Sequence, residues 1–206
     1  MAVDYKDLPF SDRPDLTPYL IHLTKNSRNT NGYSAFRNLV NILQTGIIWG
    51  SSKKGYIRGP NRASCFMDVP FISLKYVLTP ENHNPEKPRY EPYGVFVTKK
   101  YGYNHGLRPV LYLSNKELKS LKIPENELWR VVRLEVFNNN KWISWLYERE
   151  WRCKGDFKLP RNSGVLVKNT KDLKKLQSMI ECNPEKFKVK PRTIIPLEVI
   201  CQGFIE

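Results

Sequence analysis

Along this chain the spacing of apolar and polar positions changes period, and the changes outline its elements. Tyr19-Leu-Ile-His-Leu-Thr24 is a short apolar run closed by the polar stretch Lys25–Gly32, the pattern of a buried strand. From Ser34 the period lengthens. Phe36, Leu39, Val40 and Leu43 fall at i, i+3, i+4 and i+7, one apolar helix stripe, with Gly46 placed to end it. Ala63–Ser73 reads as extended, with Pro70 at an edge or bend, and residues 79–92 hold four prolines and read as a surface loop. Further strands are predicted at Tyr93–Thr98, Val110–Leu113, Trp129–Phe137 and Trp142–Tyr147. Ser114-Asn-Lys-Glu117 has the form of a capping box opening a short helix through Leu118 and Leu121. Leu173, Leu176 and Ile180 stripe a basic helix between Thr170 and Asn183, and a last strand is predicted over Val199–Ile205.

The order is therefore strand, helix, then mostly strands, without an internal repeat. That order predicts one α+β domain with a mixed, substantially antiparallel sheet and flanking helices. Residues 1–18, with Pro14 and Pro18, read as an arm leading into a domain over residues 19–206.

Charge changes the picture. Thirty-four Lys and Arg against twenty Asp and Glu leave +14, an excess that points to a polyanionic partner, nucleic acid first. The cations are concentrated. The loop Gly50–Arg62 holds Lys53, Lys54, Arg58 and Arg62, with three glycines and no acid. Residues 158–192 carry ten Lys or Arg against three acids, and Lys171, Lys174 and Lys175 fall on the polar side of the last predicted helix. These are candidate phosphate contacts, with Trp49 or Tyr56 to stack on a base; the plainer alternative is a solvated basic face.

Other classes fall away. No apolar run approaches the ~20 residues of a membrane span. The first fifteen residues carry four Asp and read as neither secretory signal nor transit peptide, so a cytoplasmic protein is expected. Cys65, Cys153, Cys182 and Cys201 are scattered without a C-x-x-C pair, as in reduced thiols, and His22, His83 and His105 lie far apart, so no metal is expected.

Two strings carry candidate chemistry. His22-Leu23-Thr24 lies on the first predicted strand and is followed by the helix Asn38-Leu-Val-Asn-Ile-Leu-Gln-Thr-Gly46. The pair resembles the first core strand of ADP-ribosyltransferases, His-x-Thr or His-x-Ser, and the helix after it, although Leu23 stands where the polymerase-like branch has glycine. The resemblance implies that NAD is bound, with His22 donating to a ribose hydroxyl and Thr24 contacting the nicotinamide ribose. A buried histidine satisfied by a backbone carbonyl is the alternative. The second string is Glu148-Arg-Glu-Trp-Arg152, whose two acids at i and i+2 would share one face of an extended segment. Paired carboxylates have their proton affinities pushed apart, which suits one to accept from a ribose and the other to act as a base. An ADP-ribosyltransferase uses such a late glutamate to stabilise the oxocarbenium character that develops as the nicotinamide bond breaks. Glu150 is favoured, because in E-x-E arrangements the second acid touches the ribose. The alternative is a cluster in which Arg149 and Arg152 pair with Glu148 and Glu150.

Three more stretches, Cys65-Phe-Met-Asp-Val-Pro-Phe-Ile-Ser73, Tyr93-Gly-Val-Phe-Val97 and Gly106-Leu-Arg-Pro-Val-Leu-Tyr112, join that string in one order. Together they resemble bacterial abortive-phage-resistance (AbiG-type) proteins over roughly residues 22–156, and through them the DarT-type ADP-ribosyltransferases that modify DNA in toxin–antitoxin pairs. The resemblance implies an ADP-ribosyltransferase-like fold and an NAD-consuming mono-ADP-ribosyltransferase acting as an intracellular toxin or antiphage effector. It further implies an acceptor that is nucleic acid or a nucleic-acid-associated protein, and a cognate antitoxin. Ser73, Tyr76 and Tyr93 compete for the middle position of the transferase pattern. A non-catalytic nucleic-acid-binding or antitoxin-like module is the second reading, and a metal-independent nuclease with His22 as base the third.

Overall fold

The computed structural model describes residues 13–27, 32–52, 56–79, 89–137 and 141–201. In chain order these form β1 (Tyr19–Leu23), α1 (Ala35–Thr45), β2 (Ile47–Ile48), β3 (Ala63–Met67), β4 (Gly94–Thr98), α2 (Lys99–Asn104), β5 (Arg108–Pro109), β6 (Leu111–Leu113), α3 (Asn115–Ser120), β7 (Val131–Arg133), β8 (Glu135–Val136), β9 (Trp142–Ile143), β10 (Glu150–Lys154), β11 (Phe157–Lys158), β12 (Gly164–Val167), α4 (Thr170–Cys182), β13 (Ile194–Pro196) and α5 (Leu197–Ile200). Seven of the strands make one sheet in the order β13-β12-β4-β1-β3-β10-β5. Its pairs are antiparallel except β12 with β13. The architecture is the α+β type with a mixed sheet.

Strand alternation decides the layers. In β1, Leu20 points into the larger core cluster, where Leu39, Val40 and Leu43 of α1 and Leu176 of α4 meet Phe66, Val95 and Val165. Ile21 and Leu23 point the other way, to Met67, Phe96 and Leu166 beneath Leu74 and Leu197. α1 starts where Ser34 accepts a hydrogen bond from the Arg37 N–H, and ends where Gly46, at φ 69°, takes the left-handed conformation that glycine adopts without strain. The capping box is present at α3, with Ser114 and Glu117 each receiving from the other's backbone N–H.

Several predicted boundaries shift, each for a local reason. The run from Ala63 leaves the sheet after Met67, and Pro70 instead precedes a 3₁₀ turn over Phe71–Tyr76. Trp129 lies inside another 3₁₀ turn, Glu125–Arg130, and the apolar run after it splits into β7 and β8. Val110 lies between β5 and β6, its N–H donating to the Glu150 carbonyl of β10. Trp142–Tyr147 is not a core strand. Only Trp142 and Ile143 pair, with β8, outside the main sheet, and the sheet strand is β10. Its polar residues hid it: Glu150 and Arg152 face one side and neutralise each other, which lets them be buried. Among the described residues the last strand is β13, and Leu197–Ile200, where the predicted strand Val199–Ile205 would begin, is helical; residues 202–206 lie outside the described set. Among the described residues no helix is long and apolar enough to cross a membrane.

Candidate active site

The site begins where the sheet comes apart. β1 pairs with β4 at five positions and β10 with β3 at five, but β1 and β3 share only Ile21↔Met67. At the next residue a side chain replaces the ladder. His22 Nδ1 lies 2.8 Å from the Cys65 carbonyl, and its ring packs 5.7 Å from that of Phe66. Burial lowers the His22 pKa, with the Cys65 hydrogen bond opposing it, so the ring is neutral at pH 7. A carbonyl only accepts, hence Nδ1 carries the proton and Nε2 is left as an acceptor.

The two glutamates approach from a turn. Leu146–Glu148 is a 3₁₀ turn, Arg149 takes φ 43°, and Glu150 opens β10 opposite Met67. A left-handed non-glycine residue is strained, and the Asp68 N–H fixes the turn by donating to the carbonyls of both Glu148 and Arg149 at 3.2 Å. The expected shared face of an extended segment is therefore absent. The carboxylates converge because Arg149 redirects the chain between them.

Their surroundings differ sharply. Glu150 is gripped at both oxygens by Arg152, Nε at 2.7 Å and Nη2 at 3.0 Å, while Arg152 Nη1 donates to the Trp129 carbonyl at 2.9 Å. Glu148 Oε1 accepts from the Tyr90 hydroxyl at 2.9 Å and Arg89 Nη2 at 3.2 Å. Burial, and then the nearby Glu150 charge, push the Glu148 pKa up to about 7. Burial and Glu148 raise the Tyr90 phenol well above its usual range, so Tyr90 keeps its proton and donates it. Tyr112 supports the turn from below: its hydroxyl accepts from the Glu150 N–H at 3.0 Å and donates to the Trp145 carbonyl at 3.3 Å.

His22, Cys65, Tyr90, Glu148 and Glu150 line one cavity of about 80 Å³. That is room for two or three water molecules, so a larger ligand enters only in part or after the walls move. Among the described residues no group of three His, Cys, Asp or Glu is placed to hold a metal ion.

The remaining candidates lie elsewhere. The Thr24 hydroxyl sits 2.9 Å from the Ala35 carbonyl and 3.1 Å from that of Tyr93, tying β1 to the start of α1. Tyr93 donates to Asp172 at 2.8 Å, a link to α4, and Tyr76 is exposed beneath Lys75. Ser73 lies inside the 3₁₀ turn, its N–H on the Pro70 carbonyl. None of these four lines the cavity. Arg58 donates to Asn115 and Arg62 to Gly50 and Asp156, at the β3–β10 side of the sheet. Lys171, Lys174 and Lys175 are exposed on α4, which packs on β12 and β13, and Lys175 lies over the Phe36 ring. The two basic groups are thus three strand spacings apart, and Lys53 and Lys54 lie outside the described residues. Trp49 and Tyr56 are exposed.

Arg89 and Tyr90 were not legible as site residues. They close a proline-rich polar segment, where only the isolated aromatic hinted at burial. The motif strings, in contrast, meet here: Cys65 and Asp68 hold His22 and the acidic turn, and Tyr112 holds Glu150.

The sequence matches no family model and no curated protein. Among solved structures it is similar to Thermus sp. 2.9 DarT in complex with NAD+, with 13% identity over 88% of this chain and 96% of that one and a TM-score of 0.49. The same protein in complex with carba-NAD+ gives a TM-score of 0.46 at 13% identity and the same coverage.

Proposed function

We propose that the chain is an NAD-consuming mono-ADP-ribosyltransferase, acting inside cells as a toxin or antiphage effector on nucleic acid or a nucleic-acid-associated protein. The observation that carries the reading is the convergence of His22, Tyr90, Glu148 and Glu150 on one cleft at the parting of β1 and β3. The E-x-E-W-R string and the His-x-Thr strand, 126 residues apart from His22 to Glu148, meet there. In this mechanism NAD is substrate and enters as the cleft opens. The neutral His22 offers Nε2 to a ribose hydroxyl, which donates to it; this reverses the direction expected from the sequence. Glu150, held by Arg152, presents negative charge to the ribose as the nicotinamide bond breaks. Glu148, with a pKa near neutrality, takes a proton from the acceptor nucleophile. Tyr90 orients Glu148. Thr24 anchors the strand that carries His22, and one of Ser73, Tyr76 and Tyr93 would fill the middle position only if its segment shifts toward the cleft.

The second reading, a non-catalytic nucleic-acid-binding or antitoxin-like module, draws on the bidentate Arg152 clamp, which occupies both Glu150 oxygens. One experiment separates the two. The protein is incubated with labelled NAD and total cellular nucleic acid, and nicotinamide release and label transfer are followed. Release with transfer, abolished in Glu148→Gln and Glu150→Gln variants that remain folded, supports the transferase. Binding of nucleic acid without nicotinamide release overturns it. Co-purification of a neutralising partner from the native host would extend the reading to a toxin–antitoxin pair.

A further inference from the structure

A second cavity besides the His22 cleft, of about 560 Å³, opens at the other end of β1, where Tyr19 pairs with Thr98 of β4. It is seven times the volume of the first and within the ~300–1,000 Å³ range of small-molecule sites. Aromatic rings form part of its lining, Tyr19 and Phe96 from one face of the sheet and Tyr101 from the other. Tyr19 stacks on Phe71 and meets Phe96 edge-on at 5.2 Å, and Tyr101 stacks on His105. Gly164 makes this geometry possible, because any Cβ there would fall inside the Phe96 ring.

The cavity's polar groups are unspent. Among the described residues, the Tyr19 hydroxyl, the Asn162 amide, the Arg192 guanidinium and the Thr193 hydroxyl all line it, and none makes a side-chain hydrogen bond or ion pair. Aromatic rings, neutral donors and acceptors and one cation are the chemistry of a planar base, a sugar and an anionic group. The chain leading to Arg192 adds to the charge. Phe187 and Val189 are buried while Lys188, Lys190 and Arg192 are exposed, so the three cations face outward in alternation. That segment is pinned by Val189 N–H to the Leu43 carbonyl and Lys190 N–H to that of Arg161.

We infer that this cavity binds a nucleoside monophosphate unit, its base against the Tyr19 ring and its phosphate on Arg192. The unit is supplied either as a free mononucleotide or as the end of a single strand whose further phosphates follow Lys190 and Lys188. The site is independent of the transferase reading, and it shares no lining residue with the His22 cleft.

Calorimetric titration of the full chain with 5′-AMP tests it. Binding is expected to weaken about tenfold or more in Arg192→Glu, which removes a charge-assisted contact, and in Thr193→Trp, which fills the cavity. Both positions are exposed, so circular dichroism should show an unchanged fold. Glu148→Gln should leave AMP binding intact, and Arg192→Glu should leave nicotinamide release intact if the parent protein has it. A short oligothymidylate identifies the source. Binding tighter than that of AMP and weakened by Lys188→Glu with Lys190→Glu assigns the site to a strand end; binding no tighter and indifferent to those reversals assigns it to a free nucleotide. Absence of AMP binding overturns the inference, as does binding indifferent to both cavity variants or lost in Glu148→Gln instead.

Discussion

Glu148 and Glu150 are two residues apart and chemically unlike, and their partners account for it. Arg152 fills both oxygens of Glu150, whereas Glu148 has a tyrosine and a half-exposed arginine on one oxygen. The Glu148 pKa, raised from 4.5 to about 7, has a testable sign. The folded protein holds a proton there that the unfolded chain releases, so this group's stabilising contribution, full below pH 4.5, is lost as pH rises through about 7. Thermal unfolding from pH 4 to 8 should show that loss in the parent and a flatter profile in Glu148→Gln. If Glu148 is the base, turnover should rise over the same window, since only the deprotonated form accepts a proton. Glu150→Gln should fold, keep most NAD affinity and lose roughly two to four orders of magnitude in turnover, as for removal of an electrostatic stabiliser. Arg152→Ala should be worse for the fold than for the chemistry alone. It strands a buried carboxylate, and breaking such a pair costs about 3–5 kcal/mol, read as a fall in denaturation midpoint. A Glu150→Gln variant that unfolds while Glu148→Gln stays fully active would make the cluster structural.

At the scale of elements, the readable ones are those whose signal is local. α1 could be read from four apolar residues, Ser34 and Gly46, and α3 from its capping box, because periodicity and caps are properties of neighbouring residues. β10 was read only as an extended segment around Glu148–Arg152 and not as a core strand, because Glu150 and Arg152 look like surface residues until they are seen paired. β12 shows a different dependence. Gly164 has no special φ, yet it is constrained by Phe96, 68 residues away in sequence but its pairing partner in β4. Gly164→Ala should destabilise the protein by about 1–3 kcal/mol through overpacking, and Phe96→Leu should recover part of that loss in the double variant. Chemical denaturation of the four proteins checks the coupling; additive losses would remove the contact as the cause.

For the whole molecule, the net charge of +14 is the dominant long-range property. If it serves nucleic-acid binding, affinity should fall steeply with salt, and Lys174→Glu with Lys175→Glu should weaken binding to all sequences about equally. Gel-shift or anisotropy titrations at several salt concentrations check this. Binding undetectable at low salt, or insensitive to salt and to these reversals, would leave α4 with a solubilising face only. The structure divides the charge between α4 and the β3–β10 side, so the two groups should contribute separately rather than as one patch.

The sequence by itself determined the α+β class, the first strand, the first and last long helices and the strings that carry chemistry, because composition, period and capping act between near neighbours. It also named His22, Glu148 and Glu150. Only tertiary structure decided how they meet. The single pair between β1 and β3 opens the cleft, the left-handed Arg149 brings both acids into it, and Tyr90 arrives from a loop without periodicity. The proton on His22 and the affinity of Glu148 for one are fixed by burial and by partners 43 and 58 residues away. Desolvation and hydrogen bonding across such separations depend on the packed arrangement, which no local pattern along the chain encodes.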